Sequence, residues 1–315
     1  MREQFSYFIC VMELHYNKCR FLSTSAFLLI FLSACLPTTT DAFGRLKSRV
    51  RGSLHFLRLL CNAIRPIKFS NMKITNALLF LAAYLKVTSA FAYQLKYFDI
   101  RGAAETCRVI FALGEEDYTD VRFKIDPATF QSPEFNEAKE NGDLKLNLNR
   151  APVLVTPEGK TIGQSKAIER YLARRFGLMG KTPEEEAMID CVAEHCSDVK
   201  DAARQKGFSK FTRNKTDEEK AEAKKEWFEN DMPTMLMKIE EAVKQTSEAD
   251  GCSFGATTTY ADVAIWALIR DCFPADLEDT TKAAEKCVVL NAIADQIQSH
   301  PGVAKYLSSR PDSSW

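Results

Sequence analysis

Residues 93–105 read Tyr-Gln-Leu-Lys-Tyr-Phe-Asp-Ile-Arg-Gly-Ala-Ala-Glu, and the rest of the chain is read outward from them. Positions 93–99 alternate as a half-buried strand, with Tyr93, Leu95 and Tyr97 on one face. Arg101 to Ala104 opens a helix over Glu105–Leu113, with Val109, Ile110 and Leu113 at helical spacing, and Gly114 stops it. Tyr118 to Ile125 alternates again. Pro133 to Lys139 reads as a short polar helix. Arg150 to Val155 is a strand entered through Pro152, and Pro157-Glu158-Gly159 is a turn into a short strand over Lys160–Ile162. Gln164-Ser165 caps a helix to about Arg175, with Ala167, Ile168, Tyr171 and Leu172 inward. The order is β-α-β-α-β-β-α, that of a thioredoxin-like domain. A cis proline at the start of the third strand would leave the preceding backbone open to pair with an extended peptide.

Beyond a linker at 176–182 the strand signals stop. Pro183–Lys206 is helical, with Met188, Val192, Cys196 and Val199 as an apolar stripe. Asp217–Lys244 is a long charged helix interrupted near Pro233. Thr259 and Asp262 form a capping box ahead of the apolar helix Val263–Cys272. Lys282–Ser299 and Val303–Ser308 complete the chain. The expected fold is therefore an α/β thioredoxin-like N-terminal domain over 93–175 plus an all-α C-terminal domain over 183–315.

Residues 1–92 differ in kind. Within 315 residues of zero formal charge, they hold twelve Lys and Arg against three acids, while the body holds 30 against 39. That balance argues against nucleic acid as a partner. Two apolar runs, in Phe21–Leu36 and Ala77–Leu85, fall short of the ~20 residues of a membrane span and suit a secretory signal. The second follows Met72-Lys73 and ends in Ser89-Ala90-Phe91-Ala92, a cleavage pattern. Residues 1–92 thus read as a targeting leader, secretory or plastid-directed. Otherwise the chain starts near Met72 and the product is cytoplasmic or membrane-associated through the leader. Of ten cysteines, six lie in the body, without Cys-x-x-Cys or zinc spacing, so no metal is expected and core packing is the simplest role.

Five motifs then stand in order: Tyr-x-Leu-x-Tyr-Phe-x-x-Arg-Gly-x-Ala-Glu at 93–105, Ala-Pro-Val-Leu at 151–154, and Gln-Ser-x-Ala-Ile-x-Arg-Tyr-Leu-Ala at 164–173. Thr-x-Ala-Asp at 259–262 and Pro-x-Val-Ala-x-Tyr-Leu-x-x-Arg-Pro at 301–311 complete the set. Together they resemble the cytosolic glutathione transferases, most closely the sigma class that includes haematopoietic prostaglandin D synthase. The resemblance implies a homodimeric enzyme that uses glutathione against small hydrophobic electrophiles. Tyr97 matches the catalytic tyrosine. Ala151, before Pro152, matches the residue whose backbone pairs with the cysteinyl unit, and Phe98 borders the pocket. Gln164 and Ser165 match the pair holding the γ-glutamyl carboxylate. Phe135 and Lys139 match a Trp and a Lys at the glycyl end, and Arg150 a Lys or Gln beside it. Asp198 aligns with an acid that reaches across the dimer to the glutathione amino group.

Two departures stand out. Ala103 replaces an arginine that helps stabilise the thiolate in close relatives, and Asn149 replaces a frequent glycine. The electrophile pocket is expected between Phe98 and the helix near 191–208, with Phe208 in it and His195 solvated or facing it. Besides a general transferase, two alternatives remain: a binding or structural relative without turnover, and a narrow-substrate isomerase of the prostaglandin D synthase kind. A thiol peroxidase or reductase ranks last, because no cysteine stands at Tyr97.

Overall fold

The computed structural model describes residues 92–312 apart from Lys210, all within one compact unit. The leader readings lie outside the described residues. Strand β1 is Tyr93–Phe98, and its alternation places Tyr93, Leu95 and Tyr97 in the core. A 3-10 turn at Gly102–Ala104 leads into α1, Glu105–Leu113. Strand β2 (Tyr118–Phe123), helix α2 (Pro133–Glu140), strands β3 (Val153–Val155) and β4 (Thr161–Gly163) and helix α3 (Ser165–Arg175) follow. The sheet order is β2-β1-β3-β4, with β1 parallel to β2 and the other neighbours antiparallel. Every predicted element of this half is present, within two residues at most ends.

Helix α4 is Pro183–Lys206, started by the Thr182 side chain accepting from the Glu185 N–H and stopped by left-handed Gly207. Helices α5 (Asp217–Glu226) and α6 (Met232–Val243) are joined by a π-helical turn at Trp227–Asp231. The predicted interruption at Pro233 is thus a local widening just before it: proline has no N–H for the helical ladder, and the chain continues. Helix α7 (Tyr260–Trp266) is buried at every position and runs into a second π turn, Ala267–Asp271. Helices α8 (Leu277–Ala283), α9 (Val288–Ser299) and α10 (Pro301–Ser309) finish the body. The single helix expected over 282–299 is broken between α8 and α9. The break is pinned by Asn291, whose amide donates to the carbonyls of Ala284 and Cys287.

The predicted face of α3 shifts by a residue, and that of α4 differs at one position. Met188 is exposed and Ile189 is buried in its place, alongside Val192, Cys196 and Val199. Ala167 is exposed, and the inner face of α3 is Ile168, Glu169, Leu172 and Ala173. Glu169 tolerates burial because it accepts from the Tyr260 hydroxyl at 2.6 Å and pairs with Lys166 at 3.0 Å. Helix α7 packs on both α4 and α9 and forms the centre of the helical part. Cys107, Cys196, Cys252 and Cys287 are buried, in keeping with core packing, while Cys191 is exposed.

Candidate active site

Strand register builds the site. Lys96 lies opposite Val153, and Val153 opposite Gly163. One step along, Tyr97, Pro152 and Gln164 therefore form a row at one end of the sheet. Tyr97 is buried, and its hydroxyl accepts a hydrogen bond from the Ala103 N–H at 3.1 Å. Accepting from the backbone leaves the phenol proton free for another acceptor. Gly102 makes this approach possible: its φ is +44°, and a Cβ there would stand 2.6 Å from the Tyr97 hydroxyl.

Phe98 extends the row toward α2. Its ring lies 4.8 Å from that of Phe135 and 6.1 Å from that of Phe123. Phe135 in turn carries the Lys139 ammonium 4.9 Å above its ring. Phe98, Phe135 and Ala151 all pack on a small core of Phe123, Ala138, Leu144 and Val153. The structure thus brings Tyr97, Phe98, Phe135, Lys139, Ala151 and Pro152 into one neighbourhood.

Asn147 holds the other half together, and the sequence reading missed it. Its buried amide donates to the carbonyls of Arg150 at 2.9 Å and Pro152 at 3.0 Å. Its carbonyl oxygen accepts from the Gln164 N–H at 3.1 Å. One side chain therefore ties the turn before β3 to the start of α3. The signal available was an asparagine in the Asn-Leu-Asn-Arg stretch leading to Pro152, since asparagine commonly bonds nearby backbone in turns. Leu148 and Asn149 in that turn are both left-handed, with φ of 53° and 58°. Asn149 does adopt the geometry that a glycine would hold more easily. The Ala151–Pro152 peptide is cis. Among the described residues nothing hydrogen-bonds to the Ala151 backbone.

Three features here favour anions. Gln164 takes the cap position of α3 with φ of 67°, and no side chain caps the first turn. Of the Gln164-Ser165 pair expected to cap this helix, Gln164 is the cap and Ser165 is the first helical residue. The free N–H groups of that turn and the helix dipole attract negative charge. Lys139 and Arg150, finally, have no carboxylate partner among the described residues. Two unpaired cations, an uncapped helix start and an unpaired peptide edge fit a short extended peptide bearing carboxylates.

The remaining predicted residues lie on α4 or just after it. Asp198 stands exposed on α4, its carboxylate 4.0 Å from the His195 ring. His195 is solvent-exposed as well. Phe208 packs with Trp227, Phe228 and Phe273 in an aromatic cluster between α4 and the two π turns. It therefore serves the helical core, where apolar rings repay burial most. Among the described residues no group of His, Cys, Asp and Glu could hold a metal ion. Among them also, no helix is long and apolar enough to cross a membrane.

Comparison with known proteins agrees with this geometry. Residues 93–174 match the family model described as Glutathione S-transferase, N-terminal domain, and 203–310 match Glutathione S-transferase, C-terminal domain. Glutathione S-transferase 4 of Caenorhabditis elegans is 30% identical over 70% of this chain and 98% of its own length. Hematopoietic prostaglandin D synthase of Gallus gallus is 29% identical over 70% of this chain and 96% of its own. The solved structure of a Nu-class GST from Haemonchus contortus superimposes with a TM-score of 0.57, at 29% identity, over 71% of this chain and 98% of that one. Members of this family use glutathione as a co-substrate and typically form dimers. Read together with the anion-friendly row at the sheet edge, these matches mean that the chain belongs to the glutathione S-transferase family.

Proposed function

We propose that the protein is a glutathione transferase in which Tyr97 activates the glutathione thiol for attack on small hydrophobic electrophiles. The observation that carries this reading is the Ala103 N–H on the Tyr97 hydroxyl, which turns the phenol proton outward to a bound sulfur. A free thiol has a pKa near ~8.5 and is mostly protonated at neutral pH. A phenol hydrogen bond to sulfur favours the thiolate, and each unit of lowering is about 1.4 kcal/mol of preferential binding. Ala151 would pair with the cysteinyl unit. Gln164, Ser165 and the start of α3 would take one carboxylate, and Lys139 and Arg150 the other, with Phe98 and Phe135 walling the site. Asp198, exposed on α4, would serve the glutathione of a second copy in a homodimer.

Ala103 supports a second reading, a relative that binds glutathione without turnover. It lacks the cationic side chain that would assist the thiolate, although its backbone N–H performs the contact seen here. The test is conjugation of a chloro-nitroarene by the full-length protein, with glutathione binding followed by calorimetry. We expect wild-type turnover, and a loss of about tenfold or more in Tyr97→Phe, with binding retained. Binding without turnover in the wild type would favour the second reading, and turnover unchanged in Tyr97→Phe would remove the tyrosine from the mechanism.

A further inference from the structure

Asn147 does more than close a turn. It ends a 3-10 turn at Lys145–Asn147 and is only 4% exposed. Both of its N–H donors and its carbonyl oxygen are in use. The donors hold the carbonyls of Arg150 and Pro152, one on either side of Ala151. The oxygen holds the N–H of Gln164, the cap residue of α3. The Ala151 edge and the helix start are thus both bonded to one planar amide.

Two further observations show that the surrounding backbone is arranged about this side chain. Leu148, Asn149 and Gln164 hold φ of 53°, 58° and 67°, angles that a Cβ disfavours. Such angles persist where neighbouring contacts fix them, and at Gln164 that contact is Asn147. Gly163, opposite Val153 on β4, leaves the room that Asn147 fills. A Cβ at 163 would stand 2.6 Å from Asn147 Oδ1 and 2.7 Å from its Cβ. The φ of Gly163 is not positive, so space and not backbone angle calls for the glycine.

From this geometry we infer that Asn147 is a positioning residue that lets the site read the γ-glutamyl unit of glutathione. It acts through Pro152 and Gln164. It fixes the span between the backbone that pairs with the cysteinyl unit and the helix start that takes the γ-glutamyl carboxylate. A ligand that grips both ends gains from a fixed span, because neither edge has to be ordered on binding. A ligand without the γ-glutamyl unit has no use for it. The inference rests on the reading of this edge as a glutathione site, and not on the role of Tyr97.

The experiment compares full-length wild type with Asn147→Ala. Calorimetry gives the affinity for glutathione, and displacement of glutathione gives that for cysteinylglycine, which lacks the γ-glutamyl unit. We expect Asn147→Ala to bind glutathione about tenfold more weakly and cysteinylglycine within about twofold of the wild type. The preference between the two ligands then falls by most of that factor. Gly163→Ala keeps the asparagine but pushes it aside, and it should weaken glutathione in the same selective way. Circular dichroism and thermal melting check that each variant is folded. An unchanged glutathione affinity, or an equal loss for both ligands in a folded variant, would overturn this inference alone. A wild type that binds no glutathione would overturn the site reading together with it.

Discussion

Gly102 shows how much one residue without a side chain decides. Tyr97 approaches the backbone of residues 102–103 so closely that a methyl group at 102 would stand 2.6 Å from the phenol oxygen. Gly102→Ala should therefore push the hydroxyl off the Ala103 N–H. We expect conjugation to fall by about tenfold or more, with a stability loss of only ~1 kcal/mol for the positive φ. Steady-state kinetics alongside thermal melting separates the two effects. At this scale the sequence exposed the residues that line the sheet edge better than their supports. Tyr97, Ala151, Gln164 and Ser165 sit inside motifs and were legible. Asn147 was not, because its role comes from meeting Arg150, Pro152 and Gln164 across a turn, which spacing alone does not reveal.

Among the elements, α7 depends most on its first turn. The Asp262 carboxylate accepts from the Ser253 N–H at 2.5 Å, the Thr259 N–H at 2.6 Å and the Thr259 hydroxyl at 3.0 Å. Burial pushes this carboxyl up, while those hydrogen bonds draw it back. Asp262→Ala would leave two buried N–H groups without partners. We expect it to cost about 2–4 kcal/mol, with Asp262→Asn milder, as measured by urea denaturation. The capping box was readable because its two members lie three residues apart. The face of α3 was read one residue out, and that of α4 missed at Met188 alone. A stripe of small or flexible apolar residues fits more than one helix rotation, and packing selects between them, for α3 mainly against α1 and for α4 mainly against α7.

Across the described residues as a whole, charged groups tie α1 to α10 and the residue after it. Glu105 accepts from Arg310 at 2.6 Å, Arg108 at 3.1 Å and the Tyr306 hydroxyl at 2.9 Å. Arg310 also reaches Asp271 at 2.8 Å, and burial raises that carboxyl against the pull of Arg310. Arg310→Met should cost about 2–4 kcal/mol, below the ~3–5 of a fully buried pair because Arg108 and Arg101 remain on the two carboxylates. Equilibrium denaturation measures this, and a loss below 1 kcal/mol would show the network to be screened by solvent. The order of strands and helices was legible from periodicity and turn residues. This network was not, since its members come from four separate elements.

The same contact governs how the protein comes into being. Glu105 and Arg310 are separated by 205 residues of chain. At ribosomal rates of about 5–20 residues per second, roughly ten to forty seconds pass between their syntheses. Until then a carboxylate made for the interior waits without its principal counter-ion. The nascent amino-terminal half thus leaves the ribosome electrically unfinished, and a message cut before the codon of Arg310 would encode a chain in which Glu105 keeps only Arg108 as its cation.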